Sequence, residues 1–513
     1  MSKGSSMMHI LYRWRAALTV FVLGFAFLWS PSTAYAQDAS QWAYHLGNGL
    51  ESQATAVSYS NAGEIFVAGV FRGNLDFDPG PGEHVLNGGS HDSGYIAKYG
   101  PAGNLIWAQM LKGNDQVRIN DIVVDGMNQI GVVGSFRGEA DLDPGPELFR
   151  AGSKGSNDIF LLRLLPDGTL DWAWTGGSAD SDAGIAVATD SRFGLYITGS
   201  FEGTMFVESD SPSYEMESAG GDDVFAARFN NAGRLFWVRA FGGSDDDQPT
   251  DIALDAADNV YLVGTFNGKA DLDPTWTSID LQSYGNSDIF VTILSVVGNW
   301  IWSTQLGGTG RDGNARVLAE PDGTYYVSGE FQGSGDFDRT GDGGVISSRG
   351  ERDVFLTRYT PQHNFEWVFG IGSGRTDSIA GIDQDGFGNI YLFGSFEETV
   401  DFDPGPGQSP LTSSGSDDAF IAKYTRQGEL RQLRNLVNPQ DDEPSALAID
   451  HDSNVIIAGE FRDTIDLGDG LTVSTGQAEN VYNVFLARYA RDTWTPLPLR
   501  AYLPGVIRDD NAR

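Results

Sequence analysis

The stretch GFGNIYLFGSF, residues 386–396, decides how this chain is read. It opens on a tight Gly/Asn turn, continues as an apolar run rich in aromatic and β-branched residues, and closes on a Gly-x-Phe triplet, the pattern of a turn leading into a buried strand. The triplet Gly394-Ser395-Phe396 has counterparts at Gly69-Val70-Phe71, Gly134-Ser135-Phe136, Gly199-Ser200-Phe201, Gly264-Thr265-Phe266, Gly329-Glu330-Phe331 and Gly459-Glu460-Phe461, each 65 residues from the next. Tryptophans keep the same step at Trp42, Trp107, Trp172, Trp237, Trp302 and Trp367. So do an aromatic, from Tyr95 to Phe485, and three positions on a basic residue at Lys98, Arg163, Arg228, Arg358, Lys423 and Arg488, with Ile293 the exception. Seven copies without an insertion or deletion define a repeat architecture.

Working outward from residues 386–396, the sixth unit reads as four short strands: 379–383, 390–396, 419–424 and 430–436. The absence of any helical period and the tight Gly turns point to antiparallel sheet. Four strands in each of seven units predict an all-β fold, a seven-bladed β-propeller. A β-solenoid is the alternative, disfavoured because its coils are shorter and lack tight hairpins. The ends of the chain fit a closed ring. QWAYHLG, residues 41–47, matches a fourth strand with no first three before it, whereas the last unit meets Pro496 and Pro498 where its own fourth strand is due. The N-terminal strand is therefore expected to complete the last blade, leaving no open edge.

Residues 1–36 stand apart. Lys3, Arg13 and Arg15 precede an apolar run, and Ala34-Tyr35-Ala36 forms a small-residue cleavage signal, so this segment reads as a secretory signal peptide, with a retained N-terminal anchor as the competing reading. The propeller is then expected over 37–490 and a proline-containing tail over 491–513, with no transmembrane segment in the mature chain, secreted or at the cell surface, and monomeric. The whole sequence carries a formal charge of −37, and losing the signal would take the Lys+Arg count from 33 to 30 against 70 Asp+Glu. Such a surface repels phosphate backbones and excludes nucleic acid as a natural partner. There is no cysteine, which excludes disulfides and thiolate chemistry.

The recurring motifs, LGGTGRDG at 306–313 and DQDGFGNIYLFGSF at 383–396 among the clearest, resemble the SBBP class of bacterial seven-bladed propeller repeats over roughly residues 42–490. The resemblance implies the propeller fold and a secreted or surface protein, and it says little of activity.

Function is expected on the face bearing the two long loops, between strands two and three and between strands four and one. The first loop carries DFDPGPG at 76–82 and 401–407 and its relatives, giving carboxylate pairs Asp76/Asp78, Asp141/Asp143, Asp271/Asp273, Asp336/Asp338 and Asp401/Asp403. Paired oxygens suit calcium. The competing reading is that they accept backbone N–H groups ahead of the Pro-Gly turn, and it is favoured because no EF-hand spacing is present. DFDRTGDGG, 336–344, is the strongest single metal candidate. Asp182, Asp247, Asp312, Asp377 and Asp442, just before the first strand, could ring the channel mouth, as cation ligands or, the favoured reading, as loop caps. Asp125, Asp190, Asp255, Asp385 and Asp450 read as turn residues on the opposite face. His363 replaces a turn glycine and reads as exposed, and the histidines form no cluster. Trp276 and Tyr284 break the repeat in DLDPTWTSIDLQSYG, 271–285, either as sugar-stacking platforms or as packing beneath the loop. With no nucleophile elbow or phosphate loop in view, the expected function is a non-catalytic scaffold for a protein or glycan partner. A polysaccharide lyase or glycosidase is the alternative.

Overall fold

The computed structural model describes residues 41–47, 51–207, 214–275, 278–341, 343–438, 440–475 and 482–491, and all strands among them pair antiparallel, with no α-helix. In the sixth blade Ser378–Gln384, Ile390–Phe396, Asp418–Tyr424 and Leu430–Leu436 lie side by side in that order. The other blades repeat this order, giving a seven-bladed β-propeller.

The Gly-x-Phe triplet has a steric cause. The first strand shifts register between Ile379 and Gly381. A Cβ on Gly394 would fall 2.0 Å from the Ser378 carbonyl oxygen and 2.9 Å from the Phe420 ring, so no side chain fits. A Cβ on Gly69, Gly134 or Gly199 would likewise fall 2.0 Å from the equivalent carbonyl oxygen, that of Gln53, Arg118 or Ala183. Phe396 packs edge-on against Phe402 with ring centroids 5.5 Å apart, fastening the triplet to the apolar residue inside DFDPGPG. The second strand is wholly buried on both faces, because each blade lies between two neighbours, and this explains its unbroken apolar run.

The ring closes as expected. Trp42–Leu46 pairs with Asn483–Tyr489, from Trp42 opposite Arg488 to Leu46 opposite Val484, and becomes the fourth strand of blade seven. The first strands pack on one another around the centre, Glu51–Tyr59 touching both Val117–Val124 and Glu443–Ile449. Side chains stitch these strands together: Asp121 Oδ2 accepts the Val187 N–H at 2.8 Å, Asp251 Oδ2 that of Val317 at 2.9 Å, and Asp383 Oδ2 that of Ile449 at 2.6 Å.

The long loop between strands two and three folds into a small hairpin that reaches the preceding blade. Lys269–Asp271 pairs with Asp280–Gln282 and also with the end of Leu235–Gly243, where Gly242 faces Asp271. The equivalents at Asp141 and Asp336 pair with Lys112 and Gly307.

Candidate functional site

Within these hairpins the Asp-x-Asp carboxylates organise the backbone. Asp401 Oδ1 accepts the N–H of Asp403 at 3.1 Å and of Ser409 at 2.8 Å, and Asp403 Oδ1 accepts that of Gly405 at 2.9 Å. Asp76 and Asp78, Asp141 and Asp143, Asp271 and Asp273 do the same. Asp336 accepts from Asp338, and Asp338 accepts from Thr340. The residue between the two carboxylates points inward: Phe77, Leu142, Leu272 and Phe402 have no exposed surface. The carbonyl of Phe402 accepts the Tyr424 hydroxyl at 3.0 Å. Segment 336–344 carries its own cation, since Arg339 Nη1 stands 3.7 Å from Asp336 Oδ2. Among the described residues no three acidic or histidine side chains converge as a metal set.

The second carboxylate set caps loops. Asp182, Asp247, Asp312, Asp377 and Asp442 are buried between blades, because the loop after the fourth strand folds back over them. Asp247 Oδ2 accepts the Gly243 N–H at 2.6 Å and its Oδ1 that of Asn267 at 3.2 Å, the loop-capping role.

On the opposite face Asp125 closes its turn, Oδ1 accepting the N–H groups of Met127 and Gln129 at 2.8 and 2.9 Å. It also does what the sequence reading missed: its Oδ2 meets Arg163 Nη1 at 2.7 Å. Asp190–Arg228, Asp385–Lys423 and Asp450–Arg488 repeat this pair. In the fourth blade, where Ile293 replaces the base, Asp255 Oδ2 is instead taken by Asn259 at 2.8 Å and approached by the Tyr261 hydroxyl at 3.3 Å. The recurring basic residue was the available signal, since a buried cation requires a partner. His363 is not exposed: it stacks on Trp302, centroids 5.0 Å apart, where other blades place a bare turn glycine such as Gly233 against Trp172. Burial lowers its pKa.

The repeat breaks down at the mouth of the loop face. A cavity of about 480 Å³ between blades four and five is lined by Asp246, Gln248, Asn286, Arg311, Asn314, Glu330 and Arg352 among others. Glu330 is 3% exposed; its Oε1 accepts from Asn314 Nδ2 at 2.8 Å and its Oε2 from Arg352 Nη1 at 2.5 Å. This carboxylate is held on both sides by donors. Asn314 takes a left-handed φ of 47° to reach it. At the position of Arg311 the other units carry Glu51, Gln116, Ser181, Asp246, Thr376 and Asp441, and at that of Arg352 they carry Asp92, Asn157, Asp222, Ser287, Asp417 and Tyr482. Arg311 is exposed, and its guanidinium makes no ion pair among the described residues. Nearby in sequence, Tyr284 is 62% exposed and has the Arg339 guanidinium 4.7 Å above its ring. Trp276 lies outside the described residues.

No protein-family profile matches the chain. It is similar to an uncharacterized WD repeat-containing protein of Acanthamoeba polyphaga mimivirus, 23% identical over 503 residues covering 82% of this chain and 36% of that protein. It is also similar to the regulatory protein FlaEY of Caulobacter vibrioides, 25% identical over 180 residues, 34% of this chain and 18% of that one. The chain thus spans well under half the length of either relative. Among solved structures, a protein of unknown function from Bacteroides caccae aligns with a TM-score of 0.34 at 10% identity, covering 66% of this chain and 89% of that chain. At that score it carries no functional argument. No helix long and apolar enough to cross a membrane occurs among the described residues.

Proposed function

We propose that this chain is a non-catalytic binding scaffold, exported or displayed at the cell surface, that engages a protein or polysaccharide partner through the loop-face mouth of blades four and five. One observation carries the reading: residues fixed by the 65-residue step serve turns, caps and core, whereas the residues lining the cavity at Arg311, Glu330 and Arg352 vary from unit to unit. Side chains released from the repeat on a rigid scaffold are where recognition is built. A polysaccharide is favoured over a protein because Tyr284, two residues before the cavity-lining Asn286 in the chain, is an exposed aromatic ring, a stacking surface for a sugar; Trp276 is proposed as a second one. Calcium belongs to the reading only as an ion held loosely by the outer carboxylate oxygens of the Asp-x-Asp pairs.

The test is a glycan array probed with wild type, Arg311→Ala and Tyr284→Ala. Binding by wild type that both substitutions weaken at unchanged melting temperature is the expected result. Turnover of any bound polysaccharide would replace this reading with the enzymatic one.

A further inference from the structure

Five of the seven blade junctions bury two carboxylates against each other. Asp158 and Asp182, Asp223 and Asp247, Asp288 and Asp312, Asp353 and Asp377, and Asp418 and Asp442 lie within electrostatic reach of each other, none of the ten being more than 3% exposed. The first of each pair opens a third strand; the second precedes the first strand of the next blade. At the two junctions flanking blade one these positions hold Ser93 with Val117 and Asn483 with Ser52.

Each pair contains one oxygen without a hydrogen-bond partner: Asp182 Oδ1, Asp223 Oδ1, Asp288 Oδ1, Asp353 Oδ1 and Asp442 Oδ2. The other carboxylate has both oxygens hydrogen-bonded every time, as Asp377 does with the N–H groups of Ser373 and Glu397. The two groups converge where the backbone has no side chain. A Cβ on Gly242 would lie 2.6 Å from Asp223 Oδ1 and 2.8 Å from Asp247 Oδ2. Gly243 gives its N–H to Asp247 Oδ2 at 2.6 Å and lies beside Asp223 as well, so the two carboxylates compete for one donor. Two buried anions in this arrangement repel, and an unpartnered buried oxygen costs free energy. Protonating that oxygen removes both penalties, because a carboxyl O–H can donate to the neighbouring carboxylate.

We infer that each of the five junctions holds one proton shared between its two carboxyl groups, and that releasing these protons loosens blade-to-blade contact. The propeller is then a pH-responsive ring. Burial, reinforced by the paired carboxylate, pushes Asp182 up to about 6, Asp247 and Asp377 to about 7, and Asp442 to about 8. Burial likewise pushes Asp223 and Asp288 up to about 6. The charged groups facing the pairs are Lys154 at Asp158, Asp222 and Asp245 at Asp223/Asp247, Arg339 at Asp288/Asp312, Arg349 at Asp353, and Asp417 and Asp441 at Asp418/Asp442. The Arg339 junction therefore releases its proton early and the Asp442 junction late. Folded pKa values above the ordinary carboxylate range mean that this stabilisation is complete in acid and is lost as pH rises through about 6 to 8.

The experiment compares wild type with Asp223→Asn/Asp442→Asn, in which the amide N–H donates where the proton would. From about pH 5 to about pH 9, spanning the titration range, the wild-type Tm should fall by several degrees. The variant should fall less and melt above wild type at the alkaline end. A variant less stable than wild type at both ends overturns the proposal, as does calcium restoring the wild type, but not the variant, at alkaline pH, which would make the junctions cation sites. If the double variant fails to fold, infrared titration of the single variants Asp223→Asn and Asp442→Asn decides: a protonated-carboxyl band between about pH 6 and about pH 9 that is weaker in each than in wild type supports the shared protons, and an undiminished band overturns them.

Discussion

Arg163 Nη1 lies 2.7 Å from Asp125 Oδ2, the arginine side chain fully enclosed and the aspartate 2% exposed. The same guanidinium reaches Asn231 in the next blade at 3.1 Å and the Phe193 carbonyl at 2.5 Å. One buried cation thus joins a turn, a third strand and the neighbouring blade.

Removing the cation strands the Asp125 carboxylate. Arg163→Met should cost roughly 3–5 kcal/mol, the range for breaking one side of a buried pair. Denaturant unfolding would measure it; a loss below about 1 kcal/mol would mean water relieves the aspartate.

The closing strand should act in trans. Deleting residues 41–47 strips the edge of Asn483–Tyr489, and a synthetic peptide QWAYHLG should restore the lost Tm in a concentration-dependent way by strand addition. Leu46→Ala in the peptide should weaken the rescue, because Leu46 is 1% exposed in the core. Rescue by a scrambled peptide would show the effect to be unspecific.

The hairpin caps separate two roles of the same residue. Asp401→Ala removes the acceptor of two backbone N–H groups and should cost about 1–3 kcal/mol. Asp401→Asn keeps one acceptor oxygen and should cost less. If the outer oxygens also hold calcium, calcium should raise the wild-type Tm more than magnesium does, and Asp401→Asn should reduce that difference; coincident melting curves would leave the caps as the sole role.

Glu460 offers a second pH readout, at the mouth of blade seven. Burial, with Glu443 nearby, pushes its carboxyl up to about 8. Its stabilising contribution is present in acid and lost as pH rises through that value. Glu460→Gln should flatten the fall in Tm between about pH 6 and about pH 9; an unchanged slope would show that Glu460 ionises without cost.

The fold was legible because its constraints recur. Gly394 is required by the Ser378 carbonyl, and six other glycines mark the same place in the repeat. Closure was legible because Trp42 sits one step before Trp107. The Asp125–Arg163 pair was not, since the two are 38 residues apart and the turn already accounted for the aspartate. That Asp247 caps its loop was legible, but its burial was not, because periodicity fixes the strand that follows it and not the way the preceding loop folds over it. The cavity around Arg311 and Glu330 was illegible for the opposite reason: Arg311 and Arg352 have no basic counterpart in any other unit.

Closure by Trp42–Leu46 also imposes an order in time. The strand that leaves the ribosome first must wait for Asn483–Tyr489, its partner and among the last of the propeller to be made. At about 5–20 residues per second that wait runs from roughly twenty seconds to over a minute. Throughout it the nascent chain carries an unmated strand at one end and an unfinished blade at the other, both open to pairing with a neighbouring nascent chain.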